Sequence, residues 1–373
     1  MPHIPEHFDL VIAGTRGVPG RHGGFETFAE KLSLHLVSKG WTVAVFCQTN
    51  GDRPEVITDV WRGVYRVNIP ITQPGAVGTI VFDLRSTLIG RRIADKVLVL
   101  GYNTAIFSFL YRISGVYNVI NMDGIEWKRK KWKWWQKLWL FINEKMALIL
   151  GNILIADNGE ISNHLIRWRF WGPEIVVIPY GADSTESASS SFLDDFKLKA
   201  YRYMLVICRP EPENQILEIV QSFVSLGRSD FRLVVLGNYE PDNNEYHRKV
   251  ISSANDNVIF VGAIYDNDIL ASLRKYCYIY IHGHTVGGTN PSLVEAMASG
   301  CAILAADNKF NRWVAHDSVR YFCDNVSLRD NINILLNDNV TVELLRLKSQ
   351  LRFKNNFGWD RILGMYEDLL CRK

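Results

Sequence analysis

The chain has 373 residues, of which 47% are hydrophobic and 22% are charged, and this length favours two globular domains over one. The formal net charge of +3 is too small to indicate nucleic-acid binding by itself. None of the six cysteines forms a CxxC pair, so neither a zinc site nor a disulfide framework is indicated, and a reducing cytoplasm is the simplest inference. No secretory signal is predicted, and the longest apolar stretch, residues 138–150, is interrupted by charged side chains, which disfavours a membrane-spanning helix.

A βαβ unit opens the chain. A predicted strand at Phe8–Ala13 runs into the glycine-rich loop GTRGVPGRHGG, which is followed by a helix at Phe25–Ser38 and a strand at Thr42–Cys47. The glycines at positions 14, 17 and 20 are spaced at threes, and no acidic residue ends the next strand. Both features differ from the dinucleotide-binding fingerprint, so NAD binding is disfavoured.

Further strands are predicted through the first half of the chain. They are Tyr65–Ile69, Lys96–Leu100, Tyr117–Asn121, Ile153–Ala156 and Ile175–Ile178. Ligands of doubly wound sheets bind at the carboxyl ends of strands, so the segment Asp123-Gly124-Ile125-Glu126 is a candidate site. One of its carboxylates could position or deprotonate a hydroxyl group, and a helix-capping aspartate is an equally good interpretation.

The segment Lys128–Trp139, KRKKWKWWQKLW, combines six basic residues with four tryptophans. Helical spacing places Trp132, Trp135 and Trp139 on one face. Lysines with interleaved tryptophans suit an anionic membrane surface, and single-stranded nucleic acid is a competing partner. A partly buried helix with its lysines in solvent is the alternative that needs no partner.

A serine-rich segment, Ala182–Asp195, is interpreted as a linker, after which the alternation of strands and helices begins again. The predicted organisation is a first domain at 1–182, a second domain at 183–340 and a helical tail at 341–373 that packs back across the domains. Two consecutive parallel-sheet domains with a cleft between them are the expected architecture.

The stretch Tyr278–Asn308 organises the second half of the chain. YIYIHGHTVGGTNPSLVEAMASGCAILAADN predicts a buried strand, a glycine-rich turn, a helix from Pro291 and a second strand. Pro291 suits the first helical position, and the glycines let an anion approach the free N–H groups and the positive end of the helix dipole. Such units are common and most bind nothing, but the many polar side chains of this turn favour a nucleotide-sugar. The diphosphate would lie at the helix start, and the carboxylate of Glu295, one turn further, would meet sugar hydroxyls.

Arg209 closes the first predicted strand of the second domain, in the sequence CRPEPEN. An arginine at the carboxyl end of a strand can pair with a diphosphate and stabilise the charge that develops as it leaves. The alternative is a surface arginine paired with Glu211 or Glu213.

Together these motifs resemble the family 4 glycosyltransferases of the GT-B fold, over nearly the whole chain. The resemblance is carried by GGFETFAEKLSLHLVSKGWTVAVFC, IPYGAD, CRPEPEN and TNPSLVEAMASGCAILAAD. Within that family, GTRGVPGRHGGFETF, NMDGIEWKRKKW and HGHTVGGTNPSLVEAMA are similar to the branch that adds L-rhamnose in bacterial capsule and O-antigen assembly. The fold that the resemblance implies is α/β, with two Rossmann-like doubly wound parallel-sheet domains facing a cleft.

The implied activity is that of a retaining, metal-independent hexosyltransferase without a cofactor. It would move L-rhamnose from dTDP-β-L-rhamnose to a saccharide on a polyprenyl diphosphate, with no nucleic-acid partner, as a cytoplasmic protein peripheral on the inner face of the cell membrane. The implied catalytic residues are Arg209, Glu295 and Asp123, of which the first two also bind the donor. The other donor-binding residues are Gly17, His284, Gly287, Gly288, Thr289, Asn290, Ser292 and Asn311. The acceptor-binding residues are Arg16, His22, Gly23, Gly24, Asp123, Glu126 and Trp127, and the membrane-contacting residues are Lys128, Lys131, Trp132, Trp135 and Trp139.

Two positions depart from the broad family pattern. Gly287 stands where the family has the first of two paired glutamates, which is consistent with a deoxyhexose donor. Asn214 replaces the lysine that usually follows Arg209 by five positions, so Arg209 is left as the main cation, and Lys309 or Arg312 could compensate. These departures keep open a non-catalytic sugar-nucleotide-binding module. Two further alternatives are a transferase of another hexose from a UDP- or GDP-sugar and a nucleotide-sugar epimerase of the same fold.

Overall fold

The computed structural model describes residues 5–20, 23–51, 55–169, 172–185 and 188–372. The chain divides into two compact units, the first formed by Met1–Pro179 with Trp359–Lys373 and the second by Tyr180–Gly358. Each unit contains one sheet with helices packed against it.

The sheet of the first unit has eight strands in the order β3-β4-β2-β1-β5-β6-β7-β8. The strands are β1 Leu10–Ala13, β2 Val43–Asn50, β3 Ile57–Trp61, β4 Val64–Ile71, β5 Lys96–Leu100, β6 Tyr117–Asn121, β7 Ile153–Ala156 and β8 Glu174–Val177. All neighbours pair in parallel except β3, an edge strand antiparallel to β4 that the sequence pattern did not predict. β1 and β7 are buried along their whole length, as expected when helices cover both faces of a parallel sheet.

Five helices connect these strands. They are α1 Gly24–Ser38, α2 Gly75–Ile93, α3 Ser108–Ile113, α4 Trp134–Leu150 and α5 Gly159–Trp168. In α1 the buried residues Phe28, Leu32 and Leu36 recur at four-residue spacing, which is the apolar stripe that packs this helix on the sheet.

The sheet of the second unit has six parallel strands in the order β11-β10-β9-β12-β13-β14. The strands are β9 Tyr203–Ile207, β10 Arg232–Leu236, β11 Val258–Gly262, β12 Ile279–His282, β13 Ile303–Ala306 and β14 Arg320–Phe322. The helices are α6 Ile216–Val224, α7 Glu245–Ser252, α8 Asn267–Lys275, α9 Pro291–Ala298, α10 Lys309–Ala315, α11 Asn325–Asn337 and α12 Asn339–Asn356. The prediction of two Rossmann-like parallel-sheet domains is confirmed.

Two segments differ from their sequence-based interpretation. The described part of the expected linker packs within the second unit, because the Ser272 hydroxyl donates to the Ser189 carbonyl at 2.7 Å and Leu193 is buried. The expected tail, residues 341–373, forms two helices that belong to different units. α12 lies in the second unit, and the last helix, α13 Trp359–Cys371, lies in the first.

The helix α13 is held in the first unit by buried aromatic and polar contacts. Its Tyr366 ring lies 4.6 Å from that of Phe28 in α1, and the Tyr366 hydroxyl accepts a hydrogen bond from Asn121 at the end of β6. No helix in the described part of the chain is both long enough and apolar enough to span a bilayer.

Candidate functional site

The turn between β12 and α9, residues 283–290, has the backbone geometry that its glycines permit. Gly287 has a φ of +114°, and a Cβ there would lie 3.1 Å from Asn290 Oδ1. Asn290 precedes Pro291 as the N-cap residue, but its side chain makes no capping hydrogen bond. Asn290 therefore does not occupy the first N–H groups of α9, and these remain suited to an anion.

The loop that carries Arg209 lies against this turn. The Glu213 carbonyl accepts hydrogen bonds from the Thr285 N–H at 3.0 Å and from the Thr285 hydroxyl at 2.8 Å. Gly283 approaches the same loop so closely that a Cβ on it would lie 2.2 Å from the Asn214 carbonyl oxygen. The structure thus brings together the two segments that the sequence placed in one donor site.

Asn214, which stands at the usual lysine position, has a structural role in this loop. It is buried, and its amide donates to the Arg209 carbonyl at 2.7 Å. The Arg209 side chain is exposed. Over the described residues no ion pair joins it to Glu211 or Glu213, so the interpretation as a paired surface arginine does not apply. Its guanidinium is available to a ligand.

Histidine and asparagine side chains shape the other side of the turn. The His284 ring stacks on that of His282 with centroids 4.3 Å apart, and burial together with His284 holds the pKa of His282 well below its usual value. Asn308 and Asn311 each donate to the His284 carbonyl at 3.0 Å. Asn311 is buried and supports the turn, and a direct contact with a donor stays a prediction.

The remaining predicted donor-site residues differ in exposure. Gly288 and Thr289 are buried, whereas Ser292 is partly accessible. Arg312 makes two hydrogen bonds to Asp307, at 2.5 and 2.7 Å, so its charge is already balanced. Lys309 lies over the ring of its neighbour Phe310 at 5.0 Å.

Glu295 is in an ion pair that the sequence did not predict. Its carboxylate oxygen Oε2 accepts a hydrogen bond from the guanidinium of Arg274, which comes from the last turn of α8. Glu295 keeps about a third of its side chain exposed, at 36%, whereas Arg274 is 7% exposed. The two residues are 21 positions apart, and no local pattern connects them.

In the first unit, backbone N–H groups of the glycine-rich loop after β1 donate to side chains of the protein itself. The Arg16 N–H donates to Glu26 Oε1 at 3.1 Å, and the Gly20 N–H donates to Glu30 Oε2 at 2.6 Å. The Gly17 N–H donates to a threonine hydroxyl at 3.3 Å. The two glutamates lie one turn apart at the start of α1, and this spacing was the available sequence signal for their role.

The predicted ligand-binding residues of this loop are placed as follows. Gly17 has a φ of +122°, and a Cβ there would lie 2.7 Å from the Cys47 sulfur, so packing against β2 requires glycine. The Arg16 side chain is exposed. Gly23 precedes α1 and Gly24 is its first residue, while His22 lies outside the described residues.

Asp123 lies two residues after the end of β6 in a left-handed conformation, with a φ of +50° that is uncommon for residues other than glycine. Its N–H donates to Asn121 Oδ1 at 3.0 Å. Burial raises the pKa of the Asp123 carboxyl to about 6, with Glu126 raising it further and Arg129 opposing the shift. The short helix that follows, Glu126–Lys128, has Ile125 at its N-cap, so the capping interpretation of Asp123 is wrong.

The neighbours of Asp123 hold its loop in place. Buried Glu126 accepts hydrogen bonds from Arg129 Nη1 at 2.9 Å and from Trp132 Nε1 at 3.2 Å. Trp127 Nε1 donates at 2.9 Å to Glu144, a buried carboxylate of α4 that the sequence did not single out. Contact of Glu126 and Trp127 with an acceptor stays a prediction.

A second carboxylate that sequence patterns did not identify is Asp83, on α2. The Thr104 hydroxyl donates to it at 2.8 Å, and burial raises the pKa of the Asp83 carboxyl to about 6. Thr104 lies in the loop after β5, at the same sheet edge as Asp123, because β5 and β6 are parallel neighbours. Asp83 is a single aspartate within a helix, and no local sequence pattern predicts that it packs against the loop after β5.

The prediction that Trp132, Trp135 and Trp139 share one helical face is wrong. α4 begins at Trp134, so Trp132 lies before the helix. Trp139 donates its indole N–H to the Asn103 carbonyl at 2.8 Å, and Trp132 is held by Glu126. The face that is exposed is formed by Trp134, Trp135, Leu138 and Ile142, and we refer to these four residues as the α4 apolar face.

Exposed apolar side chains also occur on α3, and exposed basic side chains occur just before α4. Phe109 and Ile113 of α3 are exposed, and α3 contacts α4. Lys128 and Lys131 lie over the rings of Trp127 and Trp132, at 5.2 and 4.6 Å. This part of the first unit therefore combines cations with exposed tryptophans.

Two family models match the chain. Residues 7–183 match the family described as "Domain of unknown function (DUF1972)", and residues 194–356 match the family described as "Glycosyl transferases group 1". No curated protein matches the chain. The second unit therefore contains a group 1 glycosyltransferase domain.

Solved structures with similar folds are GT-B glycosyltransferases. Sucrose-phosphate synthase from Thermosynechococcus elongatus has 16% identity and a TM-score of 0.80, over 96% of this chain and 97% of that one. Anabaena HepE in complex with UDP and glucose has 14% identity and a TM-score of 0.77, over 98% and 100%. Trehalose-6-phosphate synthase from Escherichia coli, titled as bound with UDP-2-fluoro glucose, has 10% identity and a TM-score of 0.75, over 98% and 99%. At these identities the likeness establishes the GT-B fold alone.

Proposed function

We propose that this protein, with a group 1 glycosyltransferase domain over residues 194–356, is a retaining rhamnosyltransferase. It moves L-rhamnose from dTDP-β-L-rhamnose to a saccharide carried on a polyprenyl diphosphate, on the cytoplasmic face of the bacterial cell membrane, in capsule or O-antigen assembly. The observation that carries the proposal is the contact between the Arg209 loop and the turn before α9, made through Glu213 and Thr285.

This contact brings the loop that carries Arg209 to the turn before α9, whose first N–H groups are not capped by a side chain. The diphosphate of the donor binds the N–H groups at the start of α9, where the helix dipole favours negative charge. Arg209 pairs with the same diphosphate and stabilises the charge that develops on it. Neighbouring structures that contain UDP or a UDP-sugar support a nucleotide-sugar donor.

The reaction that these groups support is a front-face displacement. The bond between the anomeric carbon and the phosphate oxygen breaks, and its electron pair stays with the phosphate. The acceptor oxygen forms the new bond on the same face, and its proton passes to the leaving phosphate. Arg209 and the helix start carry the negative charge through this step.

The sugar preference is supported by the composition of the turn. Gly287 leaves no carboxylate where a second sugar-binding acid would stand, and its φ of +114° with the nearby Asn290 amide disfavours any side chain there. A 6-deoxy sugar has one hydroxyl group fewer than a hexose and therefore needs fewer hydrogen-bond partners in the site. Glucose from a UDP donor is the competing choice, because HepE is described in complex with UDP and glucose.

Asp123 is proposed to position the acceptor by accepting a hydrogen bond from a hydroxyl other than the attacking one, whose proton passes to the phosphate. This role requires the carboxylate form. Because the pKa of its carboxyl is raised to about 6, we expect kcat/KM for the acceptor to fall about tenfold per pH unit below pH 6 and to be constant above pH 7. Asp123→Asn should be slow and lack this inflection. Asp95→Asn, at an exposed carboxyl before β5, is the control and should keep it. An unchanged inflection in Asp123→Asn would remove Asp123 from the mechanism.

The first unit is proposed to contact the membrane through the α4 apolar face and the lysines before it. Lys128 and Lys131 would lie among anionic headgroups, where each contributes about 1 kcal/mol. The tryptophans would lie at the interface between headgroups and acyl chains. This contact would hold the protein next to a lipid-linked acceptor.

A donor screen followed by a transfer assay tests the proposal. We expect dTDP-β-L-rhamnose to raise the melting temperature more than UDP-glucose or GDP-mannose, and rhamnose to appear on a lipid-linked saccharide. Transfer from a UDP- or GDP-sugar instead would correct the donor and leave the class intact. Donor breakdown without an acceptor would favour an epimerase, and binding without turnover would favour a non-catalytic module.

A further inference from the structure

The guanidinium of Arg274 is buried between α8 and α9 and contacts the carboxylate of Glu295. It is 7% exposed, and its bond to Glu295 Oε2 is the one ion pair that it makes among the described residues. A buried guanidinium without a counter-charge is strongly destabilising, so this pair is a strong constraint on both side chains. Arg274 belongs to none of the motifs that the sequence assigns to donor binding.

The backbone that carries Arg274 is itself fixed. The thiols of Cys277 and Cys301 both donate to the Arg274 carbonyl at 3.1 Å. Cys277 precedes β12 and Cys301 precedes β13, so the end of α8 is tied to the two strands that flank α9 in sequence. The backbone at Arg274 is therefore tied to the sheet, and the guanidinium is held by its bond to Glu295.

Glu295 differs from Arg274 in its exposure. Its side chain is 36% exposed, and within the described part of the chain its other carboxylate oxygen, Oε1, makes no hydrogen bond. Pro291 and Ser292, four and three residues before Glu295, lie on the same face of α9 at its start. One oxygen is thus held by Arg274, and the other is left to accept a hydrogen bond from a ligand.

We propose that Arg274 is a positioning residue for the nucleotide-sugar, an inference that rests on the proposed function. Arg274 holds Oε2 of Glu295 and thereby fixes the direction in which Oε1 accepts a hydrogen bond from a donor hydroxyl. It holds the Glu295 side chain in one rotamer before the donor binds. Donor binding therefore does not have to offset the conformational entropy that this side chain would otherwise lose. The interaction is made with the bound donor in its ground state and affects mainly its affinity.

Kinetics of four variants test this role. Arg274→Met removes the pairing, Arg274→Lys keeps the charge without the planar guanidinium, and Glu295→Gln keeps a hydrogen-bond acceptor without the charge. The double variant Arg274→Met with Glu295→Gln completes a double-mutant cycle. Arg346→Met is the matched control, because Arg346 is also largely buried in this unit and donates to the carbonyls of Cys277 and Tyr278.

We expect Arg274→Met to raise the donor KM at least tenfold with less than a threefold change in kcat, and Arg274→Lys to recover part of that loss. The double variant should be no worse than the poorer single variant, because both changes remove the same interaction. Arg346→Met should lower the melting temperature and leave the donor KM unchanged. If Arg274→Met does not fold, Arg274→Lys, Glu295→Gln and their combination form the double-mutant cycle instead.

Two results would overturn the inference. One is an unchanged donor KM in a folded Arg274→Met, or in Arg274→Lys where Arg274→Met does not fold. The other is an equal rise of KM in Arg346→Met. Failure of the proposed function is distinguishable, because the unaltered protein would then bind none of the nucleotide-sugars in a thermal-shift screen.

Discussion

Arg209→Ala is expected to reduce kcat/KM for transfer at least a hundredfold. Arg209 is exposed, its loop contacts the turn before α9, and in the proposed mechanism its loss removes a charge-assisted contact that strengthens as the diphosphate leaves. Loss of one such donor costs about 3 kcal/mol in the transition state. Because the side chain has no ion-pair partner over the described residues, the melting temperature should change little.

The control for this prediction is Arg232→Ala. Arg232 is also an exposed arginine of the second unit, but it stands at the first residue of β10, at the opposite sheet edge from the end of β9. Near-normal transfer by Arg209→Ala, or an equal loss in Arg232→Ala, would contradict the site assignment. Glu295→Ala is also expected to lose at least a hundredfold, but it leaves Arg274 unpaired, so Glu295→Gln is the cleaner comparison.

Replacing Trp134, Trp135 and Leu138 together by serine is expected to release the protein from anionic vesicles. Trp134 is 77% exposed and Trp135 is 53% exposed, so in solution both present apolar surface to water. Burying a large apolar side chain contributes about 1.5–3 kcal/mol, so losing three should weaken the partition coefficient more than a hundredfold. Co-sedimentation with phosphatidylglycerol vesicles at low salt measures this coefficient.

Two controls separate membrane contact from a general loss of apolar surface or of structure. Tyr265→Ser removes an aromatic side chain of equal exposure, 77%, from the second unit and should leave sedimentation unchanged. Raising the salt concentration should weaken binding by the unaltered protein, because exposed lysines are screened. Equal sedimentation of the triple variant and the unaltered protein would reject the membrane surface. Trp132 and Trp139 are poor targets, since both donate hydrogen bonds to protein acceptors.

The tryptophan segment illustrates where helical periodicity is insufficient. Periodicity gives the spacing of residues on a face, but which residues form the exposed face depends on where the helix begins and what it packs against. Lys133 has an extended backbone, and its N–H donates to Gln136 Oε1 at 2.9 Å, which starts α4 at Trp134. Trp139 then points to a carbonyl of another loop, Asn103.

The serine-rich segment gives a similar lesson about linkers. Its composition resembles that of a flexible connection, but its carbonyls and Leu193 find partners on α8 and in the core of the second unit. Composition reports what a segment can do in isolation. Whether its backbone groups are satisfied by solvent or by a neighbouring helix depends on contacts that are distant in sequence.

Local patterns were sufficient to predict the alternation of strands and helices, the two parallel sheets and the strand-turn-helix unit whose helix begins at Pro291, because glycine, proline and apolar periodicity act over a few residues. Which side chains meet could not be predicted in this way. Glu213 contacts Thr285 across 72 positions because parallel strands bring their following loops to one edge of the sheet, and the long side chain of Arg274 reaches Glu295 from the last turn of α8. Burial then set the pKa of Asp123, since desolvation depends on everything packed around a carboxyl and on no residue type alone.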